Sequence, residues 1–108
     1  MSQSTPTATP TLASPAPVNN VNITMVCTPD GINFKHSGTP TWEDKSNNED
    51  GFNIYVNGTL IASIPANSVS YNVPQGSSMA AGIASIFEVE AFNAAGQAAK
   101  KSVTRGCP

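Results

Sequence analysis

The sequence predicts an all-β fold, an antiparallel β-sandwich of about seven short strands. Apolar residues alternate with polar ones over short runs, and Gly, Pro or Asn residues bound nearly every run. No stretch combines a helical period with helix caps, and the Ala-rich piece near residue 80 is interrupted by Gly82. The length, 108 residues, suits one domain.

The strands are predicted from local patterns along the chain. The alternating runs are 21–26, 32–34, 39–43, 52–56, 59–64, 69–73, 83–92 and 97–104. The clearest pair is 52–56 with 59–64, because Asn57-Gly58 supplies the two positive-φ positions of a type I′ hairpin turn. The first run should end at the turn signal Thr28-Pro29-Asp30-Gly31.

The chain is expected to divide into a linker or disordered tail, residues 1–19, and a folded domain, residues 20–108. Residues 1–29 contain no Asp, Glu, Lys, Arg or His, and residues 2–17 are mostly Ser, Thr, Pro and Ala. Such a segment has too little apolar surface to offset the entropy lost on ordering. Met1 is not followed by basic residues and an apolar core, so no signal peptide is expected in this chain.

The charges and cysteines exclude several classes of function. Five Lys and Arg against seven Asp and Glu give a net charge of −2, which lacks the basic footprint of a nucleic-acid binder. No apolar run approaches the roughly 18 residues of a membrane span. Two cysteines and one histidine are too few for a zinc ribbon, so no metal and no cofactor is expected.

The remaining candidates for chemistry are a histidine and an acidic loop. His36 is expected to be a solvated histidine in a loop, and no serine lies in a G-x-S-x-G motif, so the chain is not expected to be an enzyme. Four carboxylates follow the only tryptophan: Glu43, Asp44, Glu49 and Asp50. Calcium is an alternative for them, but the loop lacks the glycine of an EF-hand.

Two segments resemble bacterial fibronectin type III domains. Residues 42–58, WEDKSNNEDGFNIYVNG, resemble that family's W-x-D-x-S-x-N-E-x-G-F-x-I-Y-R-x-G, with Val56 in place of the basic residue. Residues 87–96, FEVEAFNAAG, are similar to its V-x-A-x-N-x-x-G strand and turn. The family usually has a tyrosine where this chain has Ser85. The resemblance implies an immunoglobulin-like sandwich, with Asp44 and Glu49 bonding the loop backbone.

The resemblance and the alternation together assign side chains to the interior and the surface. The expected core residues across the two sheets are Trp42, Phe52, Ile54, Phe87 and Val89. Tyr55 and Phe92 lie out of phase with them, which makes these two the candidate exposed, ligand-binding aromatics.

The two cysteines are expected to meet at one end of such a sandwich. Cys27 would end the first strand and Cys107 the last, so that a disulfide could close a loop of about 80 residues. Two buried free thiols are the alternative. A disulfide would indicate an extracellular or cell-surface location.

The expected function is that of a non-catalytic spacer or interaction domain in an extracellular or cell-surface multidomain protein. Its partners would then be neighbouring domains, and the domain would be a monomer. The first alternative is a module that binds a protein or a polysaccharide through its loops or exposed sheet face. The second is a subunit of a filament or virion that pairs through strand edges.

Overall fold

The computed structural model describes residues 13–107 as two antiparallel β-sheets that form a sandwich. The strands are β1 (Asn19–Asp30), β2 (Asn33–Glu43), β3 (Gly51–Val56), β4 (Thr59–Pro65), β5 (Ser78–Ala80), β6 (Ala84–Asn93), β7 (Gly96–Gln97) and β8 (Lys101–Gly106). These described residues therefore contain eight strands, and the predicted all-β sandwich is confirmed.

The first sheet has the strand order β1-β2-β5, and the second has the order β4-β3-β6. Both β7 and β8 pair with β6. β7 pairs with the end of β6, at Phe92 and Asn93, and β8 pairs with its earlier part, from Ala84 to Val89. Because β3 pairs with the other side of β6, β7 and β8 are two segments of one edge. The opposite edge of the second sheet is β4, and β5 is an edge of the first sheet.

The first sheet differs from the predicted strands in three ways. The separate runs 32–34 and 39–43 are one strand, β2, which pairs with β1 along its length. The predicted strand 69–73 makes only two isolated bridges to β2, and the predicted loop after it contains β5. Proline explains the interruption: Tyr71 donates its backbone N–H to the Pro40 carbonyl, but Pro40 has no N–H to return.

The predicted hairpin is confirmed. Val56 pairs with Thr59, and the two residues between them have positive φ angles, 51° at Asn57 and 85° at Gly58. These are the values that a type I′ turn requires, and glycine adopts them without a steric cost.

The core lies between β2 of the first sheet and the β3–β6 pair of the second. Phe52, Ile54 and Val89 have no exposed surface, Phe87 is 1% exposed and Trp42 is 4% exposed. The Trp42 and Phe52 rings are in contact, with centroids 5.6 Å apart. Each of these side chains contributes roughly 1.5–3 kcal/mol through burial.

The packing of the domain begins before residue 20. Val18, which falls in the expected linker, is 2% exposed and belongs to the core cluster. Further back, the carbonyl of Ala13 accepts hydrogen bonds from Nδ2 of Asn48 at 3.0 Å and from Nδ2 of Asn93 at 2.8 Å. Residues 13–19 are therefore in contact with the sandwich, while the rest of the predicted linker, residues 1–12, lies outside the described residues.

Candidate functional site

The two cysteines form a disulfide. Cys27 lies in β1 and Cys107 directly follows β8, and their Cα atoms are 5.9 Å apart. Residues 13–107 contain no free cysteine, so the alternative of two free thiols is wrong. The bond covalently joins the first sheet to the second.

The two ends of the described chain lie at opposite ends of the sandwich. Ala13 is held by Asn93, the last residue of β6. Cys107 follows Gly106, which pairs with Ala84, the first residue of β6. Because β6 has ten residues and a strand rises about 3.3 Å per residue, roughly 30 Å separates these two ends.

The acidic loop between β2 and β3 is held together by its own hydrogen bonds. The backbone N–H of Ser46 donates to Asp44 Oδ1 at 3.1 Å, and its hydroxyl donates to Glu49 Oε1 at 2.9 Å. The other oxygen of Glu49 accepts the backbone N–H of Asn67, a residue with a φ of 67°. In the part of the chain from 13 to 107, no group of three or more His, Cys, Asp or Glu could hold a metal ion.

The pKa values of the two loop carboxyls move in opposite directions. Burial raises the pKa of Asp44, and the neighbouring Glu49 raises it further. Burial also acts to raise the pKa of Glu49, but its hydrogen bonds with Asp44, with backbone N–H groups and with Ser46 outweigh burial and lower it. Glu49 is therefore the carboxylate that the loop stabilises in its charged form.

Neither candidate ligand-binding aromatic is fully exposed, in contrast to the expectation. The Tyr55 hydroxyl donates to Glu90 Oε1 at 2.8 Å, and the ammonium of Lys100 lies 3.9 Å from the centre of the tyrosine ring. Phe92 is half-buried, and its ring lies against Gly51. Both side chains are therefore half-buried, because side chains on one face of a sheet contact their cross-strand neighbours.

His36 is not a solvated loop residue, so this prediction is wrong. It lies in β2, is 5% exposed, and places Nδ1 at 2.7 Å from the hydroxyl oxygen of Ser85 on β6. His36 shares the inward face of β2 with Gly38, Pro40 and Trp42. Glycine and proline occupy two of these inward positions, so the sequence lacks the alternating large apolar residues that indicate a buried strand. The burial of His36 is therefore evident only from its contact with Ser85 of β6.

His36 and Ser85 lie at a cleft of about 440 Å³. Its apolar lining includes Val56, Ile61, Val73 and Met79. Val56 and Ile61 lie in β3 and β4 of the second sheet, Met79 lies in β5 of the first sheet, and Val73 precedes β5. The cleft therefore opens between the β4 edge and the β5 edge of the sandwich. Sequence reasoning did not find it, because its walls are distant in the chain.

Comparison with known proteins shows a likeness in structure and none in sequence family. No protein-family model matches the chain, and no curated protein matches it. The chain is similar to part of the crystal structure of the Clostridium perfringens spore cortex lytic enzyme SleM, with a TM-score of 0.66 and 17% sequence identity. The likeness covers 89% of this chain and 29% of that one, and at this identity it shows the fold alone. Within residues 13–107 there is no helix of the length and apolarity needed to cross a membrane.

Proposed function

We propose that this chain contains a non-catalytic fibronectin type III domain that serves as a spacer between neighbouring domains of an extracellular or cell-surface protein. The observation that carries the proposal is that the described part of the chain enters the sandwich at Ala13 and leaves it at Cys107, at opposite ends of β6. A domain connected at both points would hold its neighbours about 30 Å apart along the strand direction.

The family assignment is supported by the way in which the two resembling segments meet. Residues 42–58 run from the end of β2 through β3, and residues 87–96 form most of β6 and its turn. The two segments pair in register, with Phe52 opposite Ala91 and Ile54 opposite Val89. The residues that carry the resemblance thus form the central strand pair of the second sheet.

Both attachment points are anchored, as a spacer requires. At one end, the side-chain amides of Asn48 and Asn93 donate to the carbonyl of Ala13. At the other end, the disulfide ties Cys107 to Cys27. An oxidising compartment, such as the outside of a cell, allows this bond to persist.

The disulfide also determines the path of a mechanical load. A force applied between Ala13 and Cys107 has a covalent path through residues 13–27 and the disulfide, which bypasses residues 28–106. The fully stretched length between these points is then about 50 Å, against about 330 Å without the bond. If its strands separated, the spacer would lengthen by about 20 Å, and not by about 300 Å.

Single-molecule force spectroscopy on the full chain, pulled from both termini, tests the proposal. The oxidised protein should show no large extension step, whereas the double variant Cys27→Ser, Cys107→Ser should lengthen by about 300 Å when the sandwich unfolds. Reduced wild-type protein is the matched control and should behave as the variant does. Equal large steps in the oxidised protein and the variant would contradict the load-bearing spacer.

A further inference from the structure

The cleft beside His36 exists because one inward position of β6 carries a small side chain. The inward residues of β6 are Ser85, Phe87, Val89 and Ala91, and the large ring of Phe87 is fully packed. Ser85, which is 1% exposed, faces inward like Phe87, but its side chain is only a hydroxymethyl group and fills much less space. The facing first sheet does not fill the gap, since its edge strand β5 has only three residues.

The floor of the cleft is a connected set of polar groups. Asn57 Nδ2 donates to Ser85 Oγ at 3.4 Å, the Ser85 hydroxyl donates to the sulfur of Met79 at 3.3 Å, and Ser85 Oγ lies 2.7 Å from His36 Nδ1. Because Nδ1 already has Ser85 as its partner, Nε2 is the ring nitrogen left for a ligand. A hydroxyl group can both donate and accept, so it can pair with Nε2 in either tautomer of the ring.

The walls specify the rest of the ligand. Val56, Ile61, Val73 and Met79 line the cleft, and its lining contains no Asp, Glu, Lys or Arg. An ionic ligand would lose hydration without gaining a counter-charge, so the ligand must be neutral. A cavity of about 150 Å³ is enough for benzene, so this cleft, of about 440 Å³, has room for an aromatic ring with substituents. Methionine sulfur also makes favourable contacts with aromatic rings.

We propose that this cleft binds a small neutral aromatic molecule that bears one hydroxyl group, a phenol. The ring lies among the aliphatic side chains, and the phenol hydroxyl forms a hydrogen bond with His36 Nε2. Ser85 and Asn57 act by holding the imidazole ring in place through Nδ1. The site lies beside the disulfide, since His36 pairs with Cys27 across β1 and β2, and Ser85 pairs with Arg105 across β6 and β8. Its test measures ligand binding and not extension under force, so its result does not depend on the spacer proposal.

The test is a titration of the oxidised, full-length protein with p-cresol, in which two-dimensional NMR records the chemical shifts at each concentration. Saturable shifts should appear at residues that line the cleft, such as Ile61, Gly76 and Met79. Toluene, which lacks the hydroxyl, should bind about tenfold more weakly because it leaves His36 Nε2 without a hydrogen-bond partner. Equal affinity for p-cresol and toluene, or shifts spread over exposed residues such as Ile32 without saturation, would overturn the proposal.

Two matched pairs of variants locate the site. Ser85→Phe puts a ring into the cleft and should abolish binding, while Ile86→Phe adds the same ring on the opposite, exposed face of β6 and should leave the affinity unchanged. Ser85→Phe changes a buried residue and could prevent folding, so a second pair of variants changes exposed residues instead. Ile61→Glu puts a carboxylate into the lining and should weaken binding about tenfold, whereas Leu60→Glu, beside it but outside the lining, should not. Unchanged affinity in folded Ile61→Glu protein would overturn the proposal.

Discussion

Cys27 and Cys107 are joined by a disulfide although 80 positions separate them in the sequence. The bond connects β1 in the first sheet to the end of β8 in the second. It therefore restricts the unfolded chain over most of the domain, which is how a disulfide stabilises a fold in the chain-entropy description.

Removal of this bond should be costly. The double variant Cys27→Ser, Cys107→Ser is expected to lose about 4 kcal/mol of unfolding free energy, since the bond closes a long loop. Urea denaturation followed by the fluorescence of the single tryptophan, Trp42, measures the loss. Reduced wild-type protein should unfold at the same urea concentration as the variant. A loss of less than about 1 kcal/mol would show that the bond does little for stability.

The close approach of β3 to β4 should make Gly51 sensitive to substitution. A Cβ atom at this position would collide with the carbonyl oxygen of Ile64 and would lie 3.1 Å from ring atoms of Phe92. Gly51→Ala should therefore destabilise the domain by about 1–3 kcal/mol, as overpacked sites do.

A second glycine serves as the control for Gly51. The nearest atom to a Cβ at Gly76 would be the carbonyl oxygen of His36, at 3.9 Å, so Gly76→Ala should change stability by less than about 0.5 kcal/mol. Thermal unfolding by circular dichroism compares the two variants. Equal melting temperatures would refute the assigned packing of Gly51.

The acidic loop should make stability depend on acid pH through Glu49. Hydrogen bonds to its carboxylate hold its folded pKa below the ordinary value of 4.5 even though burial opposes them. The resulting stabilisation is complete above the unfolded pKa and is lost as the pH falls through the lower, folded pKa. Glu49→Gln should cost about 1–2 kcal/mol at neutral pH, and less as the pH falls.

Urea denaturation at several pH values between neutrality and acid measures this dependence. Asp50→Asn removes the adjacent, exposed carboxylate and should change the free energy of unfolding by less than about 0.5 kcal/mol. If the cost of Glu49→Gln stays constant as the pH falls, the carboxylate is not the source of the stabilisation.

Tyr55 should ionise at a higher pH in the folded protein than an ordinary tyrosine does. Its hydrogen bond to Glu90 raises the pKa above the ordinary value of 10.0, and burial and the charges of Glu90 and Glu88 add to this effect. Its contribution to stability is therefore complete below pH 10.0 and is lost as the pH rises through the raised pKa.

The absorbance of the phenolate measures this ionisation in alkaline solution. Tyr55→Phe should remove a late step from the titration of the folded protein, and Tyr71→Phe should leave that step in place. Persistence of the late step in Tyr55→Phe would rule out the Tyr55–Glu90 hydrogen bond as its cause.

The features that local pattern predicted well are those set by neighbouring residues. Asn57-Gly58 determines a type I′ turn through its own φ preferences, and the alternation around Phe52 and Phe87 places both rings inside. The pattern was less informative along β2, where Gly38 and Pro40 occupy inward positions without large apolar side chains.

The sequence by itself determined the all-β class, the hairpin and the identity of the large core side chains, because these depend on residues within a few positions of each other. Only the tertiary structure decided that His36 is internal, that Val18 belongs to the core and that the two sheets leave a cleft beside Ser85. His36 meets Ser85 from 49 positions away. The burial of a polar side chain depends on such a distant partner, which the local alternation of residues does not specify.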